Sequence, residues 1–150
     1  MKYNKTKHLN LLKYSQELEK HEKILSDEDY FELCEYSVMM ISHLHWENRE
    51  HYFELIEQLL NGPIGFLKLR KKHRAINDAV ERLEQDLIIF EPNEKSQGFA
   101  DLIDELVSLF DRYCPDPSLR ESHEFSEEEV KNLIQKILIE MKDRYPLNEK

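Results

Sequence analysis

The chain has 150 residues, with 31 acidic against 21 basic side chains, a formal net charge of −10 and 40% hydrophobic residues. Three glycines and five prolines leave little turn chemistry for many short strands, and the length fits one domain, so we expect residues 1–150 to form a single helical domain. The negative charge argues against direct binding of DNA or RNA, which needs clustered Lys and Arg, and it favours basic proteins as partners.

Apolar spacing predicts the helices of the first half of the chain. The first helix pattern runs through Leu11, Leu12, Leu18 and Leu25. Ser26, with Asp29 three residues later, resembles a capping box and predicts the start of the second helix. Its apolar positions are Tyr30, Phe31, Leu33, Cys34, Val38, Ile41 and Leu44, and the pattern continues through Tyr52, Leu55, Ile56, Leu59 and Leu60. Asn61-Gly62 suits a helix C-terminus, and Pro63 cannot continue the same helix.

A basic helix is predicted next. Its apolar seam alternates at three and four residues through Leu69, His73, Ile76, Val80, Leu83 and Leu87, with Lys68, Lys71, Lys72 and Arg82 on the outer side. The run is too short to require a coiled coil, and helix packing within one bundle is the better interpretation. The basic run 68–74 could contact a nucleic acid or an anionic partner, but a solvated helix face, with or without acidic partners in the bundle, is the favoured interpretation.

The last third of the chain predicts two more helices. Glu91 to Gly98 forms a polar loop, and the residues expected to face the core after it are Phe99, Leu102, Ile103, Leu106, Val107 and Phe110. Cys114 to Leu119 turns the chain, and Ser126 with Glu129 makes a second capping box. The final apolar stripe is Val130, Leu133, Ile134, Ile137, Leu138 and Met141. We therefore predict an all-α, compact bundle of about five or six helices.

A cluster of histidines is the one candidate metal site. His43, Glu47 and His51 share a helix face at i, i+4 and i+8, where imidazole and carboxylate could hold zinc or a similar ion. The pattern lacks His-Glu-x-x-His, the paired Glu-x-x-His of di-iron bundles and a nearby cysteine ligand. A polar or boundary face of the helix is the favoured interpretation, so we expect no metal and no cofactor.

Catalytic motifs have little support. Neither cysteine has a nucleophile context, and no Gly-x-Ser-x-Gly, Ser-x-x-Lys or Gly-rich phosphate loop after a strand occurs. No arginine is followed four to six residues later by histidine, the pattern of all-α ribonuclease toxins of the HEPN type. We predict that the chain is not an enzyme.

The sequence also indicates a compartment. Met1 to Lys13 is basic but lacks an apolar core, so it is not a secretory signal, and no apolar run approaches about 18 residues. Cys34 and Cys114 lie far apart and outside any paired motif, which favours a reducing compartment and leaves open one long-range disulfide. We expect a cytoplasmic protein with no membrane association.

An acidic surface is the better functional candidate. The carboxylates of the predicted Phe99 helix fall opposite its apolar face, and others continue past the turn. The candidate partner-binding residues are Asp101, Asp104, Glu105, Asp111, Asp116, Glu121 and Glu124. The triplet 127–129 suits a helix N-terminus, where the macrodipole favours carboxylates. From the chemistry alone, an interaction surface and an ordinary solvated surface are equally good interpretations.

Two strings of residues carry a family resemblance. One is Phe110-Asp111-Arg112-Tyr113-Cys114-Pro115-Asp116-Pro117-Ser118-Leu119-Arg120, followed by an acidic linker and the helix that starts at Ser126. The other is Leu59-Leu60-Asn61-Gly62-Pro63-Ile64-Gly65-Phe66, a Gly-containing turn before a long helix. The span of about 52–144 thereby resembles the bacterial self-protective immunity proteins related to the colicin D immunity protein. Residues 1–51 would be an N-terminal helical extension.

The resemblance implies a function. Its members are small helical proteins that bind the basic RNase domain of a toxin and cover the active site with acidic side chains in place of RNA phosphates. For this chain it points to the acidic positions on the Phe99 helix and around the turn. An acidic immunity-type protein is therefore the leading hypothesis. The alternative is a helical interaction or assembly protein without a toxin partner, and the oligomeric state stays open.

Overall fold

The described part of the protein is built from helices. The computed structural model describes residues 2–62, 65–82 and 90–147, and for residues 81 and 82 the backbone alone. Within these ranges lie six helices: α1 Lys5–Glu19, α2 Asp27–Glu47, α3 Arg49–Leu60, α4 Leu67–Arg82, α5 Ser96–Arg112 and α6 Glu127–Arg144. Between described residues the β-type pairing is one isolated parallel bridge, Tyr113 with Phe125. The predicted all-α bundle of five or six helices is confirmed.

The helices pack around two apolar clusters. α2 lies against α1, α4 and α5, while α6 packs on α3 and α5. The larger cluster includes Tyr52, Ile56, Leu69, Phe99, Ile103, Leu106, Val130, Ile134 and Met141, each buried to 1% exposure or less. The smaller cluster joins α1, α2 and α4 through Tyr3, Leu12, Tyr36, Met40 and Val80. Trp46 on α2 belongs to the larger cluster with the α5 residues, so α2 contributes to both clusters, whereas α1 contributes to the smaller one.

Side-chain caps fix three of the helix starts. Asn4 Oδ1 accepts a hydrogen bond from the Lys7 amide at the start of α1. The predicted capping box of Ser126 is complete, because the Glu129 carboxylate also accepts from the Ser126 amide. At α2 only half of the predicted box forms: Ser26 Oγ accepts from the Asp29 amide. These bonds satisfy amides that the first helical turn leaves unpaired.

The end of α1 differs from the prediction. Leu25 is buried, but it lies in the connection to α2 and not in the first helix. Helix α1 ends in a Schellman-type turn. In this turn the Lys23 amide donates to the Leu18 carbonyl and the Glu22 amide donates to the Glu19 carbonyl. Glu22 takes the left-handed position with φ of 56°. A glycine normally marks this position, and the sequence has none there.

The apolar pattern between Tyr30 and Leu60 belongs to two helices. α2 ends at Glu47 and α3 begins at Arg49, with Asn48 between them. The Asn48 side-chain amide donates to the Leu44 carbonyl at 2.7 Å and so caps the end of α2. Periodicity alone did not reveal this break, because Trp46 and Tyr52 on either side are both buried in the same cluster.

The loop predicted from Glu91 to Gly98 is shorter than expected. α5 begins at Ser96, so Gly98 is a helical residue and not a loop residue. A Cβ atom at Gly98 would collide with the hydroxyl of Tyr145, which packs against the helix there. The glycine is therefore needed for close approach of a side chain from the end of α6.

One predicted core residue of α5 is only partly covered. Phe110 is 40% exposed, whereas Leu109, which the spacing argument passed over, is buried. The Arg70 guanidinium lies 4.0 Å from the centre of the Phe110 ring and covers part of it. On α4, Leu69, Ile76 and Val80 are buried as predicted. The predicted seam positions 83 and 87 lie outside the described residues.

The structure also bears on the two cysteines and on the expectation of no membrane span. Cys34 and Cys114 are both free thiols, so the long-range disulfide left open by the sequence is not formed. Among the described residues, no helix is long and apolar enough to cross a membrane.

Candidate interaction surface

The acidic row lies on the outer face of α5. Phe99, Ile103 and Leu106 bury the inner face of this helix against the core. Helical periodicity then directs the intervening carboxylates outward, and Asp101, Asp104, Glu105 and Asp111 are all exposed. At 1.5 Å per residue, the row from Asp101 to Asp111 is about 15 Å long. The structure therefore places all four predicted α5 residues on one surface.

Two of these carboxylates are already engaged within the protein. Asp101 Oδ1 accepts a hydrogen bond from the Gln97 side-chain amide at 2.8 Å. Asp104 Oδ1 lies 2.7 Å from His73 Nε2, which joins α5 to α4. The His73 side chain is only 18% exposed, whereas that of Asp104 is 62% exposed. Asp104 thus has a structural role that the sequence did not reveal.

The other two carboxylates have no such partner. The side chains of Glu105 and Asp111 make no hydrogen bond or ion pair with another described residue, and both are exposed. A partner can therefore bind them without first breaking an internal contact. Of the four positions on α5, these two are best suited to intermolecular contact.

A basic face borders the acidic row. On α4, Lys68, Lys71 and Arg74 are exposed and make no ion pair with a described residue. α4 and α5 lie against each other, with the His73–Asp104 contact between them. The outer surface of this helix pair is therefore divided into an acidic half on α5 and a basic half on α4. The three cations are solvated, as the favoured interpretation expected, and they have no acidic partner among the described residues.

The carboxylate in the Pro-Asp-Pro turn serves the turn itself. Asp116 Oδ1 accepts hydrogen bonds from the Ser118 amide at 2.9 Å and the Ser118 hydroxyl at 2.8 Å. These bonds favour the ionised form and lower the pKa of Asp116. Arg120 closes the turn, because its Nε donates to the Cys114 carbonyl at 2.9 Å. The turn is a fixed loop, and one oxygen of Asp116 is used to build it.

Glu121 and Glu124, the last two predicted partner-binding residues, also contribute to local structure. Glu124 Oε1 accepts from the Glu121 amide at 3.0 Å. The Glu121 carboxylate in turn lies 3.5 Å from His123 Nδ1. Both contacts stay within the connection between α5 and α6. The seven predicted residues therefore fall into two groups, a row on α5 and a structured loop after it.

A buried polar chain lies beneath the acidic row. The Tyr52 hydroxyl and His45 Nδ1 are 2.6 Å apart, and the His45 ring stacks on the ring of His73 with centroids 5.2 Å apart. His73 then reaches Asp104 at the surface. Side chains from α2, α3, α4 and α5 thus meet in one network. Sequence reasoning missed it, because its members are far apart in the chain and share no spacing pattern.

Burial controls the protonation of this network. Desolvation lowers the pKa of His45 to about 4, and the neighbouring His73 acts in the same direction. Desolvation, followed by the charge of Asp104, raises the pKa of Tyr52. His45 is 1% exposed. The inner part of the network is therefore neutral at physiological pH and closed to substrates, which suits a structural role.

The histidine face considered for a metal is dispersed. His43 stacks on the ring of Phe90 with centroids 4.3 Å apart, and Glu47 and His51 are exposed. In the described ranges, no group of three or more His, Cys, Asp or Glu side chains is arranged to hold a metal ion. The structure therefore does not gather His43, Glu47 and His51 into a metal-binding group.

Comparison with known proteins adds no relative. Comparisons with protein-family models, with curated proteins and with solved structures give no significant match to this chain. Function must therefore be argued from the surface of the molecule and from the residue pattern around Pro115-Asp116-Pro117.

Proposed function

We propose that this protein is an immunity-type inhibitor that binds a basic toxin nuclease domain through the outer face of α5. The observation that carries the proposal is the pair of unengaged, exposed carboxylates on that face, Glu105 and Asp111. With Asp101 they make a row about 15 Å long on a rigid helix. A nuclease active site that binds phosphates would find a comparable series of negative charges there.

The charge of the whole chain supports this assignment. A net charge of −10 attracts a basic domain over a distance of several ångströms and raises the association rate at low salt. Complementary charge also disfavours acidic competitors. Nuclease–immunity pairs reach a Kd of about 10⁻¹³ M, so a cognate complex would survive extensive washing.

The contributions of the acidic residues should be unequal. The carboxylates of Asp101, Asp104 and Asp116 already contact Gln97, His73 and Ser118, so none of the three is fully available to a partner. Glu105 and Asp111 contribute most in this account. The connection from Asp116 to Glu124 adds a fixed edge beside them, since its hydrogen bonds hold the backbone in place.

An RNA-cleavage assay tests the function. Tagged protein is used to capture the partner from its native cell lysate, and the captured polypeptide is identified by mass spectrometry and purified. We expect a basic nuclease whose cleavage of RNA stops at an equimolar amount of this protein. Recovery of a complex without nuclease activity would contradict the proposal.

Charge-reversed variants locate the surface in the same assay. Glu105→Lys with Asp111→Lys is expected to raise the inhibitory concentration at least tenfold. The matched control is Glu54→Lys with Asp143→Lys, which changes the net charge equally at exposed positions on α3 and α6. The control should inhibit the nuclease like the wild type. An equal loss of inhibition in both variants would show that α5 is not the binding surface.

One observation favours the alternative function. The exposed cations Lys68, Lys71 and Arg74 on α4 are available to an acidic partner, which a toxin inhibitor would not need. A helical assembly protein would use this face as much as the acidic one. Charge on the two faces would only align the partners in such an assembly, and burial of apolar area would hold the complex together in high salt.

A further inference from the structure

A second surface lies on the N-terminal half of α2, away from the acidic row. There the apolar side chains Phe31, Tyr30 and Val38 are 64%, 55% and 45% exposed. Phe31 and Val38 border a shallow groove of about 420 Å³, completed by Cys34, Glu35 and Met39. We call this surface the α2 groove. Neighbouring exposed apolar side chains that line one groove, with polar residues around them, are typical of interaction sites.

The position of the groove follows from the length of α2. Phe31, Glu35, Val38 and Ser42 succeed each other at helical spacing along one side of this helix. At Ser42 that side is buried, and its hydroxyl donates to the Gln97 side chain of α5 at 3.2 Å. α5 begins at Ser96, so it covers only the C-terminal half of α2. Where α2 extends past α5, the same side of the helix is exposed at Phe31, Glu35 and Val38.

The charged side chains that α2 itself places beside the groove are of one sign. α2 contains six carboxylates and neither Lys nor Arg. Glu32 is paired with Lys7 at 3.7 Å, but Asp27, Glu28 and Glu35 are exposed and make no ion pair with a described residue. The cations nearby come from outside α2: Lys7 pairs with Glu32, and Lys23 lines a neighbouring cavity with Asp27 and Tyr30. Along α2 itself the apolar stripe is edged by carboxylates, and it complements an apolar stripe edged by Lys and Arg. Two α2 helices placed face to face would instead oppose like charges, which disfavours a symmetric dimer through this face.

We propose that the α2 groove is the docking site for a basic amphipathic helix of another protein. The apolar side of that helix would cover Phe31 and Val38, while its Lys or Arg side chains would reach Glu35 and the carboxylates at the start of α2. This is the helix-in-groove mode of recognition, with anchors at i, i+3, i+4 and i+7. The groove is separate from the α5 row, so this inference stands whether or not the chain inhibits a nuclease.

The test uses a designed peptide and the full chain. The probe is an 18-residue peptide of Leu and Lys with Leu at helical spacing, and its control has the same composition in a scrambled order. Titration into isotopically labelled protein is followed by NMR. We expect saturable shifts centred on residues 27–39 and a Kd at least tenfold lower for the patterned peptide than for the scrambled one.

Two variants assign the binding to the groove. Phe31→Ser with Val38→Ser is expected to weaken binding of the patterned peptide at least tenfold, and circular dichroism checks that the fold is kept. Ile139→Ser is the matched control, because Ile139 on α6 is also an exposed aliphatic residue, at 58%. It should leave the Kd unchanged.

Four results would overturn the proposal. The first is an affinity of the scrambled peptide equal to that of the patterned one, and the second is a set of NMR shifts centred on Asp101 to Asp111. The third is a loss of peptide affinity in Ile139→Ser as large as in the groove variant, and the fourth is the absence of saturable binding. Sedimentation velocity supplies the remaining check. A wild-type dimer that becomes monomeric in the Phe31→Ser/Val38→Ser variant would show that a second copy occupies the groove, which also contradicts a foreign helix.

Discussion

Asp104 and Glu105 are neighbours on one helix, yet their surroundings differ. The carboxylate of Asp104 holds His73, which stacks on the buried ring of His45, whereas that of Glu105 has no partner among the described residues. Helical periodicity predicts only that both point outward. It cannot tell which of them a residue 31 positions earlier in the chain will contact, because that depends on how α4 and α5 are placed.

Buried histidines make the stability depend on pH. His8 is fully buried, with the Tyr3 hydroxyl 2.7 Å from Nδ1 and the Ser37 hydroxyl 3.2 Å from Nε2. Burial lowers the pKa of His8 to about 4, whereas the unfolded chain takes up this proton near pH 6.5. Between those values the unfolded state binds more protons, so the free energy of unfolding falls as the pH falls.

Chemical denaturation at two pH values measures this effect. In the His8→Gln variant, the loss of unfolding free energy between pH 7 and pH 4.5 should be roughly 2 kcal/mol smaller than in the wild type. The exposed His51 supplies the control, and His51→Gln should keep the wild-type pH dependence. An identical pH dependence in the His8 variant would show that this ring is not held neutral by the fold.

At the scale of elements, side-chain chemistry predicted helix starts better than helix ends. Ser126 and Glu129 marked the first turn of α6 correctly, because a capping box is a local hydrogen-bond pattern that sequence spacing specifies. The end of α1 and the break at Asn48 were missed. Both depend on backbone geometry that a glycine or proline usually marks, and here Glu22 and Asn48 supply it instead.

Replacing Glu22 should stabilise the protein. Its φ of 56° is strained for a residue with a Cβ atom and unstrained for glycine. We expect Glu22→Gly to raise the free energy of unfolding by about 0.5–1 kcal/mol, measured by urea denaturation, after the extra entropy of the unfolded glycine is counted. Glu19→Gly, inside the last turn of α1, should lower it by about 1 kcal/mol. Destabilisation by both changes would contradict the left-handed turn.

At Gly98, in contrast to Glu22, the protein needs a residue without a side chain. In an unobstructed helix, Gly→Ala stabilises by about 1 kcal/mol, but here the new methyl group would meet the Tyr145 hydroxyl. We expect Gly98→Ala to destabilise the protein by about 1–2 kcal/mol in urea denaturation, because overpacking costs more than the helix propensity gains. Tyr145→Phe should recover part of this loss in the double variant. A Gly98→Ala protein more stable than the wild type would place Tyr145 elsewhere.

At the scale of the whole molecule, charge is distributed by element. The acidic half of the α4–α5 surface is balanced along one side by the exposed cations of α4, whereas the exposed end of α2 has carboxylates and apolar side chains together. Composition leads us to expect a basic partner, which stays a prediction, and it could not predict this division of charge. The polarity of each face depends on which helices are neighbours, and no local pattern in the sequence specifies that.

The candidate site was predicted in part. Spacing alone placed Asp101, Glu105 and Asp111 on the outer face of the acidic helix. It did not separate them from Asp116 and Glu124, whose carboxylates are used in the connection between α5 and α6. The difference lies in short-range hydrogen bonds to Ser118 and Glu121, and these depend on how the turn folds.

The most direct test of the central claim is the association rate with the captured nuclease as a function of salt. Stopped-flow measurements compare the wild type, the Glu105→Lys/Asp111→Lys variant and the Glu54→Lys/Asp143→Lys control. If the α5 face steers the encounter, the first variant should associate at least tenfold more slowly at low salt and show a flatter salt dependence than the equally charged control. Equal rates and equal salt dependence in the two variants would show that α5 is not the binding surface.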